Sequence, residues 1–205
     1  MFNLTFYVRR LHSLCGLVCL GFFLLEHLFT NARALMGPLS FNRAVGLLTS
    51  IPWQIMLPVE VCFVAAPFAF HVFYGVYIAW QARHNVVNYP YLNNIQFTLQ
   101  RITAWFLVAF LAWHVFDLRV MVRGGGTQIT YQLMQSMFSN PVVWVLYLLG
   151  MLAAIFHFCN GITTFCMTWG LAKGPRIQKA INLACMGMCG LLSLITVAFM
   201  VSYLI

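Results

Sequence analysis

The stretch LPVEVCFVAAPFAFHVFYGVYIAWQ occupies residues 57–81 and contains no Lys or Arg. A helix needs about 20 mostly apolar residues to cross a bilayer, and this stretch is long enough. It carries two prolines, Pro58 and Pro67, and one histidine, His71. Four further stretches have the same character, at about 11–30, 102–118, 142–171 and 181–205. The whole chain agrees with them. Of its 205 residues 62% are apolar and 7% charged, with a mean hydropathy of +0.87, whereas soluble domains run near 45–50% apolar and about 25% charged. An ordinary soluble enzyme, a disordered tail and a disulfide-stapled secreted domain are excluded. The expected fold is an all-α integral membrane protein with five transmembrane helices in a single domain over residues 1–205.

The connections contain the breakers. Gly37-Pro38 and Ile51-Pro52 separate the first two spans, Asn88-Tyr89-Pro90 follows the second, and Gly124-Gly125-Gly126 follows the third. Ser139-Asn140-Pro141 opens the fourth, with proline in its favoured early position, and Gly174-Pro175 precedes the fifth. Arg9-Arg10 before an apolar run, with Ala32-Arg33-Ala34 after it, has the outline of a signal peptide. The run is longer than a signal core and holds Glu26 and His27, so it reads as a retained span.

The net charge of +8 comes from eleven Lys/Arg and three acids. The basic residues lie in loops and at helix ends, which is topological charge rather than a nucleic-acid footprint. Arg9, Arg10, Arg83, Arg101, Lys173, Arg176 and Lys179 fall on the side of the N-terminus, and Arg33, Arg43, Arg119 and Arg123 on the other. By the positive-inside rule the N-terminus is expected in the cytoplasm, with the chain multi-pass in the cell's inner (cytoplasmic) membrane. The seven cysteines form no C-x-x-C or C-x-x-C-H and read as small apolar helix residues.

Of six histidines, His27, His71, His114 and His157 lie deep in the first four spans, one in each, and the fifth span has none. Ionisable residues inside a bilayer are costly, which makes each a functional candidate. Neutral imidazole is a haem-iron ligand, and four such ligands suffice for two bis-histidine haems in a four-helix bundle. Depth suggests the pairing. His27 lies about 9 Å before Arg33 and His114 about 8 Å before Arg119, both near the outer surface. His71 lies about 20 Å after Pro58 and His157 about 24 Å after Pro141, both farther in. The expected pairs are His27 with His114 on an outer haem and His71 with His157 on an inner haem.

His71 and His157 share an H-x-x-x-G form with Gly75 and Gly161, one turn along the same face. A missing side chain there makes room for a haem edge, and Gly16 is placed to clear the same inner haem. Arg9, Arg10, His12, Ser13 and Arg101 are inner-side candidates for binding haem propionates. Pro67, four residues before His71, is expected to disturb the helix at Phe63. The three acids Glu26, Glu60 and Asp117 fall near the outer histidines. They are candidates for relaying protons to a quinone, or alternatively for ion pairing with Arg33 and Arg119.

With these residues in place, the chain resembles the di-haem cytochrome b anchor of succinate:quinone oxidoreductases, the five-helix, single-polypeptide type found in succinate dehydrogenase and fumarate reductase. The likeness rests on Phe6-Tyr7-Val8-Arg9-Arg10-Leu11-His12-Ser13, Glu26-His27-Leu28, His71-Val72-Phe73-Tyr74-Gly75-Val76-Tyr77, Leu99-Gln100-Arg101-Ile102-Thr103, Trp113-His114-Val115 and Ile155-Phe156-His157-Phe158-Cys159-Asn160-Gly161. The resemblance implies two cytoplasmic partners, a flavoprotein carrying FAD and a protein with iron–sulfur clusters. It also implies a menaquinone-type substrate near the outer haem. Some fumarate reductases of this type carry a glutamate beside the fourth-helix ligand for a compensating proton path. Here that stretch reads Leu152-Ala153-Ala154-Ile155-Phe156, with no acid, so electron transfer across the membrane is expected to be electrogenic. Two other readings compete: a di-haem subunit of a hydrogenase or formate dehydrogenase, and a haem-free anchor or proton channel using its histidines as relays.

Overall fold

The computed structural model describes residues 4–205. Five long helices are apolar and long enough to cross a membrane: α1 (Leu4–Met36), α3 (Trp53–Trp80), α4 (Leu92–Arg123), α6 (Pro141–Thr168) and α7 (Pro175–Ser202). Two short helices sit in the connections at the end opposite the N-terminus, α2 (Pro38–Thr49) and α5 (Tyr131–Phe138). Among the described residues there is no strand.

Local chemistry sets the boundaries. Gly37 (φ 88°) and Gly174 (φ 83°) adopt the left-handed conformation that favours glycine, and each is followed by a proline that opens the next helix. The Asn140 side chain accepts from Val142 N (3.0 Å) and Thr130 Oγ1 from Leu133 N (3.2 Å), capping α6 and α5. Gly170 (φ 74°) ends the fourth span near Thr168, short of the apolar run to Leu171.

The helices also extend into segments that hydropathy discounts. α4 begins at Leu92, ten residues before the apolar stretch, because its polar first turns have partners inside the bundle. Gln96 and Asn182 exchange side-chain hydrogen bonds (3.2 and 2.8 Å) between α4 and α7. Before Pro67 the helix widens into a π-helical stretch, Glu60–Ala65, the wide turn by which the backbone accommodates a ring that would strike the Phe63 carbonyl. Similar stretches occur at Cys15–Leu20 in α1 and Phe116–Arg123 in α4.

α7 packs most extensively against α6, where Cys159, Thr196, Phe199 and Met200 are fully buried and Trp144 Nε1 donates to the Met200 carbonyl (2.9 Å). α4 meets α6 where Gly150 admits the Phe110 ring. The end of the bundle opposite the N-terminus is closed by Phe41, Tyr131, Phe138, Tyr147 and Tyr203, each packed edge-to-face or tilted on another member. Asn42 of α2 accepts from Tyr131 N (2.7 Å), and Tyr131 Oη donates to the Ser202 carbonyl (2.6 Å), tying both short helices to the end of α7.

A side chain at position 150 would collide with the Phe110 ring. Gly150→Val is expected to destabilise the protein by about 1–3 kcal/mol through overpacking, measured as a lower thermal midpoint in detergent.

Candidate functional site

Four of the five long helices, α1, α3, α4 and α6, together with the end of α2 and the α2–α3 connection, line a cavity of about 1570 Å³. No residue of α7 lines it. His12, His27, His71, His114 and His157 all do.

The histidines stand in two pairs. His27 and His114 have ring centroids 6.0 Å apart and planes at 79°. His71 and His157 have centroids 6.3 Å apart and planes at 85°. A metal–imidazole bond is about 2.0–2.1 Å and the centroid lies about 1.2 Å beyond the nitrogen, so two imidazoles sharing one metal ion stand about 6.4 Å apart. Both pairs have that spacing. The residues therefore fit two bis-imidazole metal centres within a space of macrocycle size.

Each ring has its own support. Phe23 stacks on His27 (5.7 Å, 20°). Phe110 stacks on His114 (5.7 Å, 20°), with Tyr147 edge-on at 5.5 Å. The His12 ring lies parallel to that of His71 (4.2 Å, 4°), and His71 Nδ1 meets the His12 carbonyl at 3.0 Å. His157 Nδ1 lies 3.4 Å from Thr103 Oγ1. Gln100 donates to the His157 carbonyl (3.0 Å) and accepts from Asn160 (2.8 Å).

Gly16, Gly75 and Gly161 all border the cavity. A Cβ on Gly16 would strike the His71 ring itself, so this glycine clears the imidazole, where the sequence suggested clearance for a cofactor edge. A Cβ on Gly75 would come within 3.1 Å of His12 Nε2, a buried nitrogen without a hydrogen-bond partner among the described residues.

At the N-terminal end, Arg9, Arg10, Ser13 and Arg101 border the cavity. Arg10 lies over the rings of Phe6 and Trp169 (4.8 and 5.0 Å), and Trp169 Nε1 donates to Ser13 Oγ (3.0 Å). Arg101 lies 3.5 Å over Phe97 and donates to its carbonyl. These contacts hold cationic groups at the rim.

The acids separate. Glu26 borders the cavity and accepts from Thr30 Oγ1 (2.7 Å). Glu60 borders it and is ion-paired with Arg119, joining α3 to α4. Asp117 is absent from the cavity wall and lies within electrostatic reach of Tyr147. Arg119 and Arg123, which sequence reasoning treated as topological charge, also border the cavity. Thr103, Gln100 and Asn160 had no role assigned from sequence. For Asn160 the available signal was that an amide inside an apolar span requires a partner on another helix.

A multi-pass helical bundle with paired histidines around one large cavity has the build of a membrane cytochrome b. Comparison with known proteins narrows the class. Residues 82–199 match the model of the succinate dehydrogenase/fumarate reductase transmembrane subunit. The chain is also 38% identical over 177 residues, 86% of each protein, to the succinate dehydrogenase cytochrome b558 subunit of Bacillus subtilis (strain 168). The chain belongs to the family of succinate dehydrogenase/fumarate reductase transmembrane subunits. This membership sets aside the hydrogenase and formate dehydrogenase reading.

The Arg119 and Glu60 side chains are 46% and 31% exposed. Pairs of that kind contribute about 0.2–1 kcal/mol. Glu60→Gln is therefore expected to move the thermal midpoint only slightly, which differential scanning calorimetry in detergent measures.

Proposed function

We propose that this chain carries electrons between an iron–sulfur partner and a menaquinone-type quinone, using two b haems. His71 and His157 hold the inner one, and His27 and His114 the outer. The observation that carries the reading is the pair of facing histidines at metal-sharing distance, twice, in one cavity. When bound, each haem would supply a one-electron couple. The chain's own residues do the rest. Gly16 seats the His71 ring, Gly75 and Gly161 leave room beside the inner pair, and Arg9, Arg10, His12, Ser13 and Arg101 meet acidic substituents at the rim.

The quinone is assigned to the outer end of the cavity, where Glu60 and Glu26 are placed to pass protons to a quinone oxygen. Asp117 stands outside the wall and is left out of this role. The flavoprotein carrying FAD and the iron–sulfur subunit are assigned to the cytoplasmic face; the excess of Lys and Arg at the N-terminal end supports taking that end as cytoplasmic. The chain has no flavin or dinucleotide fingerprint, so oxidation of succinate or reduction of fumarate is assigned to the flavoprotein.

A pyridine haemochrome assay and a reduced-minus-oxidised spectrum on the purified complex test this reading. Two b haems per chain are expected, with His27→Ala and His71→Ala each perturbing a different one. Absence of haem, or haem indifferent to both substitutions, overturns it. The stretch beside His157 carries no acid and Ile155 there is fully buried, which supports electrogenic transfer. In energised membranes an uncoupler is therefore expected to change the rate of succinate-driven quinone reduction, followed by quinol formation. An unchanged rate counts against it.

A further inference from the structure

The two histidine pairs are not held alike. On the inner pair, both Nδ1 atoms face an oxygen. His71 Nδ1 meets the backbone carbonyl of His12 (3.0 Å), which has no proton to give. His157 Nδ1 meets Thr103 Oγ1 (3.4 Å). The single hydroxyl proton of Thr103 is already directed at its own helix, to the Leu99 carbonyl (2.8 Å) and the Gln100 carbonyl (3.2 Å). Toward His157, Thr103 is thus an acceptor, and the proton of that contact belongs to the imidazole. These partners favour the Nδ1–H tautomer on both inner rings, which leaves the Nε2 lone pair free. The outer pair lacks this arrangement: His114 Nδ1 is buried with no hydrogen-bond partner among the described residues. The hydrogen bond at His27 goes to its backbone carbonyl, from Asn31 Nδ2 (2.7 Å).

We infer that Thr103 is a positioning residue that fixes the tautomer and donor strength of His157, and so tunes the inner haem separately from the outer one. The inference rests on the proposed ligand assignment. An imidazole whose Nδ1–H is accepted by an oxygen is a stronger donor through Nε2 and favours the oxidised metal. Gln100 supports the same geometry from the backbone side, since its amide is held by Asn160 while it donates to the His157 carbonyl. Thr103 acts through His157 and touches no reacting group itself.

Thr103→Val keeps the shape and removes the acceptor, and Thr103→Ser restores it. The test is a redox titration of the complex followed optically, with low-spin ferric electron paramagnetic resonance spectra of the same samples. Thr103→Val is expected to raise the midpoint of the haem that His71→Ala removes, a several-fold shift toward the reduced form, and to move its g-values. The other haem stays unchanged and Thr103→Ser is close to the unsubstituted protein. If Thr103→Val loses that haem while Thr103→Ser retains it, the hydroxyl is equally required and the inference stands. Equal shifts in both haems, no shift, or a serine variant that behaves like valine overturns it. A complex that contains two haems but shows no selective shift refutes the tuning role alone. An unsubstituted complex without haem refutes the ligand assignment beneath it.

Discussion

An imidazole in the hydrocarbon layer has no water to satisfy it, so protein, or something the protein holds, must do so. Four helices place five such rings toward a shared interior, two of them from α1, and many of the remaining contacts keep those rings in place. Glycine at position 16 exists against His71, a carbonyl faces its Nδ1, and an amide clamp steadies the backbone at His157. The same rule governs polar groups away from the cavity. Gln96 and Asn182 satisfy each other between α4 and α7, and Trp144 reaches the Met200 carbonyl.

The distribution of charge follows a different balance. Glu60 and Arg119 are partly exposed and compensate each other at the cavity wall, so a carboxylate is retained at membrane depth without standing alone. At the other end, Arg10 and Arg101 lie over aromatic rings, which lets cationic heads sit at the rim while their stems cover apolar surface. Positive charge is therefore held at both mouths of the cavity, and the acids are confined to one.

Much of this was legible in the sequence, for identifiable reasons. Five apolar stretches are long-range signals that survive any packing, and a histidine in each of four stands out against so few charges. What escaped was set by contacts between distant segments. α4 starts at Leu92 because Gln96 finds Asn182, 86 residues away. α2 and α5 form at the surface because Asn42 and Tyr131 meet across 89 residues. Asp117 is only three residues from His114, yet the helix widens to π-helical winding at Phe116, so three residues fall short of a full turn and Asp117 is off the cavity wall. Gly16 was legible as a gap, but not as the gap for His71, since nothing local says which helix will face it.

The wall of the cavity is written entirely before residue 169, and the fifth membrane helix contributes nothing to it. That helix instead lies along α6 and is tied to α4 by an amide pair and to the α5 segment by a tyrosine. The fifth membrane helix is thus a buttress set behind the wall, and substitutions along it act on the cavity only through the helices it braces.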